Sequence, residues 1–115
     1  MTTRAVLDHQ MEAFGAGSAD EILKDFADDA VLIRPEGVFK GREAIHGVYS
    51  EMFAGLFKPD TYDFEMVAEH VEGDYAYIAW RASNATSNVV MGTDTFVVRN
   101  GKIVAQTYCA SIDPK

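Results

Sequence analysis

The chain has 115 residues, 48% hydrophobic and 24% charged, the balance of one globular domain spanning 1–115 and not of a disordered segment. Eighteen acids against ten bases give a formal net charge of −8, which repels polyanions, and no Lys/Arg cluster offsets that repulsion. Nucleic acid and anionic membrane surfaces are therefore poor partners.

No apolar run approaches the roughly 18 residues that a bilayer span needs. Met1-Thr2-Thr3-Arg4 leads straight into an amphipathic segment without a signal-peptide pattern. The single Cys109 excludes an intrachain disulfide and fits a reducing compartment, so the expected location is cytoplasmic. Without export, the sequon Asn84-Ala85-Thr86 carries no weight.

Arg4 to Phe14 places Leu7, Met11 and Phe14 on one helical face, and Gly15 and Gly17 end that helix. Ser18 to Glu21 reads as a capping box, with the Glu21 side chain reaching back to the Ser18 amide. A short second helix buries Ile22, Leu23 and Phe26 and closes near Asp28-Asp29. Ala30–Arg34 is a short strand, and Pro35-Glu36-Gly37 turns it into Val38-Phe39-Lys40. A third helix begins at Gly41, with Ile45, Val48, Met52 and Leu56 as its packing stripe and Tyr49 and Phe53 beside it.

From Tyr62 the period changes to two, with Phe64, Met66 and Ala68 on one face. Gly73-Asp74 turns into a strand over Tyr75–Ser83, Asn84–Asn88 reads as a loop, and Val89–Arg99 is a long strand. Asn100-Gly101 is the strongest hairpin signal, returning the chain through Ile103–Ile112. Three helices and a short hairpin ahead of a four-stranded antiparallel meander indicate an α+β fold.

The order of elements, Asp28-Asp29-Ala30-Val31 leading to Pro35 and Gly37, Gly41-Arg42-Glu43-Ala44-Ile45, and Phe96-Val97-Val98-Arg99-Asn100-Gly101-Lys102-Ile103 resemble the SnoaL-like branch of the NTF2-like superfamily. The resemblance implies a cone: a strongly curved, mostly antiparallel sheet wrapped around three N-terminal helices, with a pocket at the wide end. It also implies a cofactor-independent isomerase, cyclase, dehydratase or hydrolase for a small, largely apolar molecule. The alternative is a binding or dimerisation domain that kept the cone without the chemistry.

Against the ketosteroid isomerases of that superfamily, the general-base position ahead of Pro-x-Gly is Arg34, and the phenolic donor of the first helix falls near Gln10. Only the acid on the penultimate strand is matched, by Asp94 in Thr93-Asp94-Thr95-Phe96. An arginine cannot shuttle a proton between two carbons, so steroid isomerisation by that route is excluded.

Alternation puts Gly92, Asp94, Phe96 and Val98 on one face, which the resemblance turns inward. A carboxylate among apolar residues must be paired or have its pKa raised, and Arg34 is the partner expected for it. Either the two form a structural ion pair, or Asp94 is an acid/base with Arg34 clamping a ligand oxygen. The resemblance likewise turns Gln106, Tyr108 and Ala110 inward, where Tyr108 joins the catalytic candidates and Gln106 orients a polar group or satisfies buried neighbours. Gln10, Phe14, Tyr49, Phe53, Trp80 and Phe96 complete the expected binding surface, although Trp80 reads first as a packing wall and Phe14, Tyr49, Phe53 and Phe57 mostly as core.

An epoxide hydrolase would need two carboxylates about an arginine; Glu36, in a turn, is the candidate for the second. Tyr75, Tyr77 and Arg81 lie on the opposite face and fit the outer-sheet dimer contact common among these relatives. His9 reaches the pocket or faces water, His46 is exposed, and His70 continues the buried face of its strand. Their spacing supports no metal site, and no cofactor is expected. Cys109 reads as a small core or interface residue and not as a nucleophile.

Overall fold

The Thr2 hydroxyl accepts from the Ala5 amide at 3.0 Å and opens helix α1 (Thr3–Gly15), one of three helices in this computed structural model, which describes residues 1–115. Helix α1 buries Val6, Leu7, Gln10 and Ala13, while Met11 and Phe14 are half-buried. Ser18 then caps α2 (Ala19–Leu23), its hydroxyl accepting from the Glu21 amide at 3.1 Å. Only half of the capping box forms. The Ser18 amide donates to the Ala13 carbonyl, and the Glu21 carboxylate turns to Lys24 and His9.

Helix α2 ends at Leu23, not near Asp28-Asp29, and Phe26 begins strand β1 (Phe26–Arg34). The cause is tertiary. β1 runs parallel to the last strand, β6 (Lys102–Pro114), with Phe26 opposite Ile103, and that pairing overrides the local helical pattern. β2 (Gly37–Lys40) folds back on β1, and α3 (Arg42–Ala54) follows, burying Ile45, Val48, Tyr49 and Phe53. Met52 and Leu56, expected on the packing stripe, are half-buried instead because they face the cavity described below.

β3 (Tyr62–Glu72), β4 (Tyr75–Asn84), β5 (Ser87–Arg99) and β6 form the expected meander. The hairpin and meander form one sheet, in the order β2-β1-β6-β5-β4-β3, antiparallel except at β1–β6. The expected loop at Asn84–Asn88 shrinks to a tight connection, because Asn84 belongs to β4 and Ser87 to β5. Its Oδ1 accepts from the Thr86 and Ser87 amides. At the other hairpin Asn100 and Gly101 both take positive φ, 52° and 74°, as the two-residue turn requires.

The strands bend at β-bulges. One, between Met66 and Ala68, inserts Val67 and reverses the face of the rest of β3. Met66 lies opposite inward Trp80, but His70 lies opposite outward Tyr77, so His70 is exposed and stacks on that ring at 6.4 Å, not buried as the alternation suggests. Glu69 and Val71 take the inward register, opposite Ile78 and Ala76. The helices cover the concave face, and the core runs through Leu7, Ile22, Phe26, Leu32, Ile45 and Ile103, each at most 1% exposed. No helix is long and apolar enough to cross a membrane.

Candidate active site

Between the helices and the curved sheet lies a cavity of about 260 Å³, just below the usual range of about 300–1,000 Å³ for small-molecule sites. Its walls are mainly apolar: Met11, Phe14 and Ile22 from the first helices, Met52, Leu56 and Phe57 in and after α3, and Phe64, Ile78, Trp80, Val89, Phe96 and Ile112 from the sheet. The polar lining is short, comprising Gln10, Arg34, Glu36, Tyr49, Asp94 and Tyr108.

Asp94 projects from β5 into this wall, opposite Tyr108 on β6 and Ile78 on β4. Its Oδ1 accepts from Trp80 Nε1 at 2.8 Å and its Oδ2 from Gln106 Nε2 at 2.9 Å. By surface area the residue is half-buried, since it opens on the cavity, and the protein packed around it desolvates the carboxyl. That burial pushes its carboxyl up to about 6, and the Trp80 and Gln106 hydrogen bonds restrain the rise.

Gln106 is held in turn. Its Oε1 accepts from the buried Tyr49 hydroxyl at 2.7 Å, which fixes the amide so that Nε2 faces Asp94. Burial holds the Tyr49 phenol well above its ordinary pKa, so it remains a neutral donor. Gln106, 1% exposed, does not line the cavity but stands behind Asp94; Phe53, also expected to touch a ligand, is packed behind the wall against Phe14 and Tyr49.

Arg34 and Asp94 do not pair. Arg34 donates from Nη1 to the Tyr108 hydroxyl at 2.7 Å, and its guanidinium lies 4.6 Å over the Phe39 ring. Its Nε is 3.2 Å from Glu36 Oε1 but badly aligned, and is left buried without a hydrogen bond. The reason is placement: Tyr108, Asp94's cross-strand neighbour, takes the guanidinium that the linear sequence assigns to the acid. The phenol accepts from Arg34 and keeps its own O–H, for which the structure shows no partner. Burial raises the Tyr108 pKa and Arg34 opposes that rise, leaving a neutral donor polarised by a cation.

Of the remaining candidates, Gln10, Phe14, Tyr49, Trp80 and Phe96 line the cavity, and Glu36 reaches its edge beside Arg34. His9 neither enters the cavity nor simply faces water, since it lies between Asp25 and Glu21. His46 is 42% exposed and pairs with Asp20, and Cys109 is exposed, not core. No group of His, Cys, Asp or Glu has an arrangement that could hold a metal ion. The sequence reading missed one contributor and the role of another. Asp25 is a buried carboxylate, 6% exposed, within a segment read as helical. Gly92 lies opposite Trp80, where a Cβ would sit 2.3 Å from the indole; its missing side chain lets the ring lie flat and reach Asp94.

A SnoaL-like domain model matches residues 7–106, most of the chain. This protein belongs to the SnoaL-like domain family. No curated protein matches it. Among solved structures, an NTF-2 like protein of unknown function from Burkholderia xenovorans LB400 is similar at 22% identity and a TM-score of 0.78, with 95% of this chain and 82% of that one covered. A protein provisionally called a polyketide cyclase, from Sinorhizobium meliloti, gives 20% identity and 0.77, covering 94% and 99%. Another provisionally called a ketosteroid isomerase, from Kribbella flavida, gives 14% and 0.77, covering 95% and 77%. At these identities the likeness establishes the cone of the SnoaL-like domain, and its chemistry must be read from its own side chains.

Proposed function

We propose that this SnoaL-like protein is a cofactor-independent enzyme that moves a proton at a carbon next to a carbonyl in a small, largely apolar molecule. One observation carries the reading: a base with a pKa of about 6 and a cation-backed phenol sit side by side in an apolar cavity. In the proposed step the Asp94 carboxylate takes the carbon-bound proton. The C–H electrons shift toward the carbonyl, and the oxygen that gains charge is held by the Tyr108 O–H, backed by Arg34. Return of that proton from Asp94 to a neighbouring carbon completes an isomerisation; trade of the Asp94 proton for one from water, followed by return to the same carbon, completes an exchange. Gln106 and Trp80 orient the carboxylate.

The test is hydrogen–deuterium exchange at the methyl group of acetophenone in D2O, followed by proton NMR. The rate should rise with pH through about 6 as Asp94 becomes a carboxylate. Asp94→Asn should lower it by about 10²–10⁴-fold, the usual contribution of a positioned base. A second reading, a binding domain without chemistry, draws support from both Asp94 oxygens already accepting hydrogen bonds. Acetophenone that binds but exchanges no faster than in buffer would favour it. We further propose that two copies associate through the outer sheet face bearing Tyr75 and Tyr77, 55% and 39% exposed, and Arg81.

A further inference from the structure

The polar wall of the cavity opposite the sheet is made by Gln10 of α1, and its hydrogen bonding has a definite polarity. Nε2 donates twice, to the Ile22 carbonyl at 2.9 Å and to Asp25 Oδ2 at 2.9 Å. Both partners are acceptors, so the amide has one sensible orientation, and Asp25 is itself braced by His9. With both N–H groups used inward, Oε1 has no partner, although Gln10 is only 2% exposed and lines the cavity. The sole fully enclosed polar side-chain atom without a hydrogen bond is Arg34 Nε, so the Gln10 oxygen is not sealed in, and the residue lies in the cavity wall. A carbonyl acceptor in an otherwise apolar wall is left costly unless a ligand donor meets it.

We propose that Gln10 is a specificity residue and that the physiological ligand carries a hydrogen-bond donor, a hydroxyl or N–H, apart from the carbonyl held by Tyr108. This rests on the reading of the cavity as a site for a small carbonyl compound. It adds a requirement that reading lacks: the ligand turns an acceptor toward Tyr108 and a donor toward Gln10. A molecule with an acceptor at both positions places two oxygens against each other at Gln10 and is rejected.

Three probes of graded character test it at pH 6: 4-hydroxyacetophenone, with the donor; acetophenone, without it; and 4-methoxyacetophenone, with an acceptor in its place. Binding is read from the indole N–H resonance of Trp80, the single tryptophan and part of the cavity wall. The hydroxy compound should bind about 3- to 10-fold more tightly than acetophenone, the span of one neutral hydrogen bond, and the methoxy compound more weakly than either. In Gln10→Met the ratio should fall to about one. Equal affinities in the wild type, binding by none of the three, or a preference that survives Gln10→Met would overturn the proposal. The wild-type series decides the matter even if that variant does not fold. The measurement involves no turnover and is repeated in Asp94→Asn. A donor preference retained there with no deuterium exchange in the wild type would sink the acid/base reading and leave this one standing.

Discussion

At Asp94 two forces oppose each other. Burial disfavours the carboxylate, and the Trp80 and Gln106 hydrogen bonds favour it, with burial the larger. Trp80→Phe removes one donor, so the Asp94 midpoint should move above about 6 in a carbon-detected NMR titration, carrying the pH midpoint of acetophenone exchange with it. Because the folded pKa lies above the unfolded one, the stability this group contributes is full below about 4 and is lost as pH rises through about 6. Tyr108→Phe works on the other partner. It should slow exchange by about 10²–10³-fold, the usual cost of one oxyanion donor, while Asp94 remains the base. An exchange rate unchanged by Tyr108→Phe would remove the phenol from the mechanism.

At the scale of elements, the close fit of β4 to β5 controls the geometry around the acid. Gly92 lets the Trp80 indole cross the neighbouring strand, where it also stacks on Phe64 at 5.6 Å and meets Phe57 edge-on at 5.5 Å. Gly92→Ala forces the ring away. Overpacking of this kind costs about 1–3 kcal/mol, so urea unfolding should shift by that amount, and the Trp80 indole resonance should lose its hydrogen-bonded position. The bulge at Val67 acts at similar range. It allows Glu69 to face the helices and accept from Arg4 of α1 at 2.6 Å, tying the outermost strand to the first helix.

Across the whole molecule, the junction of α1, α2 and β1 depends on His9, lodged between Asp25 and Glu21. Hydrogen bonding to Asp25 leads the causes that raise the His9 pKa above 6.5, with Glu21 adding to it. Its contribution to stability is therefore full below 6.5 and fades as pH climbs through the raised value. His9→Gln should lower the melting temperature more at pH 6 than at pH 9; an equal loss at both would assign the contact to packing alone. The outer sheet face makes a separate prediction. Sedimentation should give twice the 12.7 kDa of one chain, and Tyr75→Glu with Tyr77→Glu should return the monomer.

Local signals in the chain determined most of the elements. The period of 3.6 in α1 and α3, the cap at Ser18, the turn at Asn100-Gly101, and the alternation of the last strands are written in near neighbours, where sterics and hydrogen bonding act without help from distant residues. Alternation also grouped Asp94 with Phe96 and Tyr108 with Gln106 on shared faces, and the family resemblance turned those faces inward. Pairing partners were a different matter. Phe26 became strand because Ile103, far along the chain, offered a parallel edge, and His70 turned outward because one bulge reversed the alternation before it. The same holds at the site. Residue types identified an acid and a cation, but which atom Arg34 meets depends on the register of β5 against β6, and that register set Tyr108 beside Asp94. The free acceptor of Gln10 depends likewise on where the chain brings Asp25 and the Ile22 carbonyl. Hydrogen-bond polarity is a property of three-dimensional neighbours, and only the folded chain decides it.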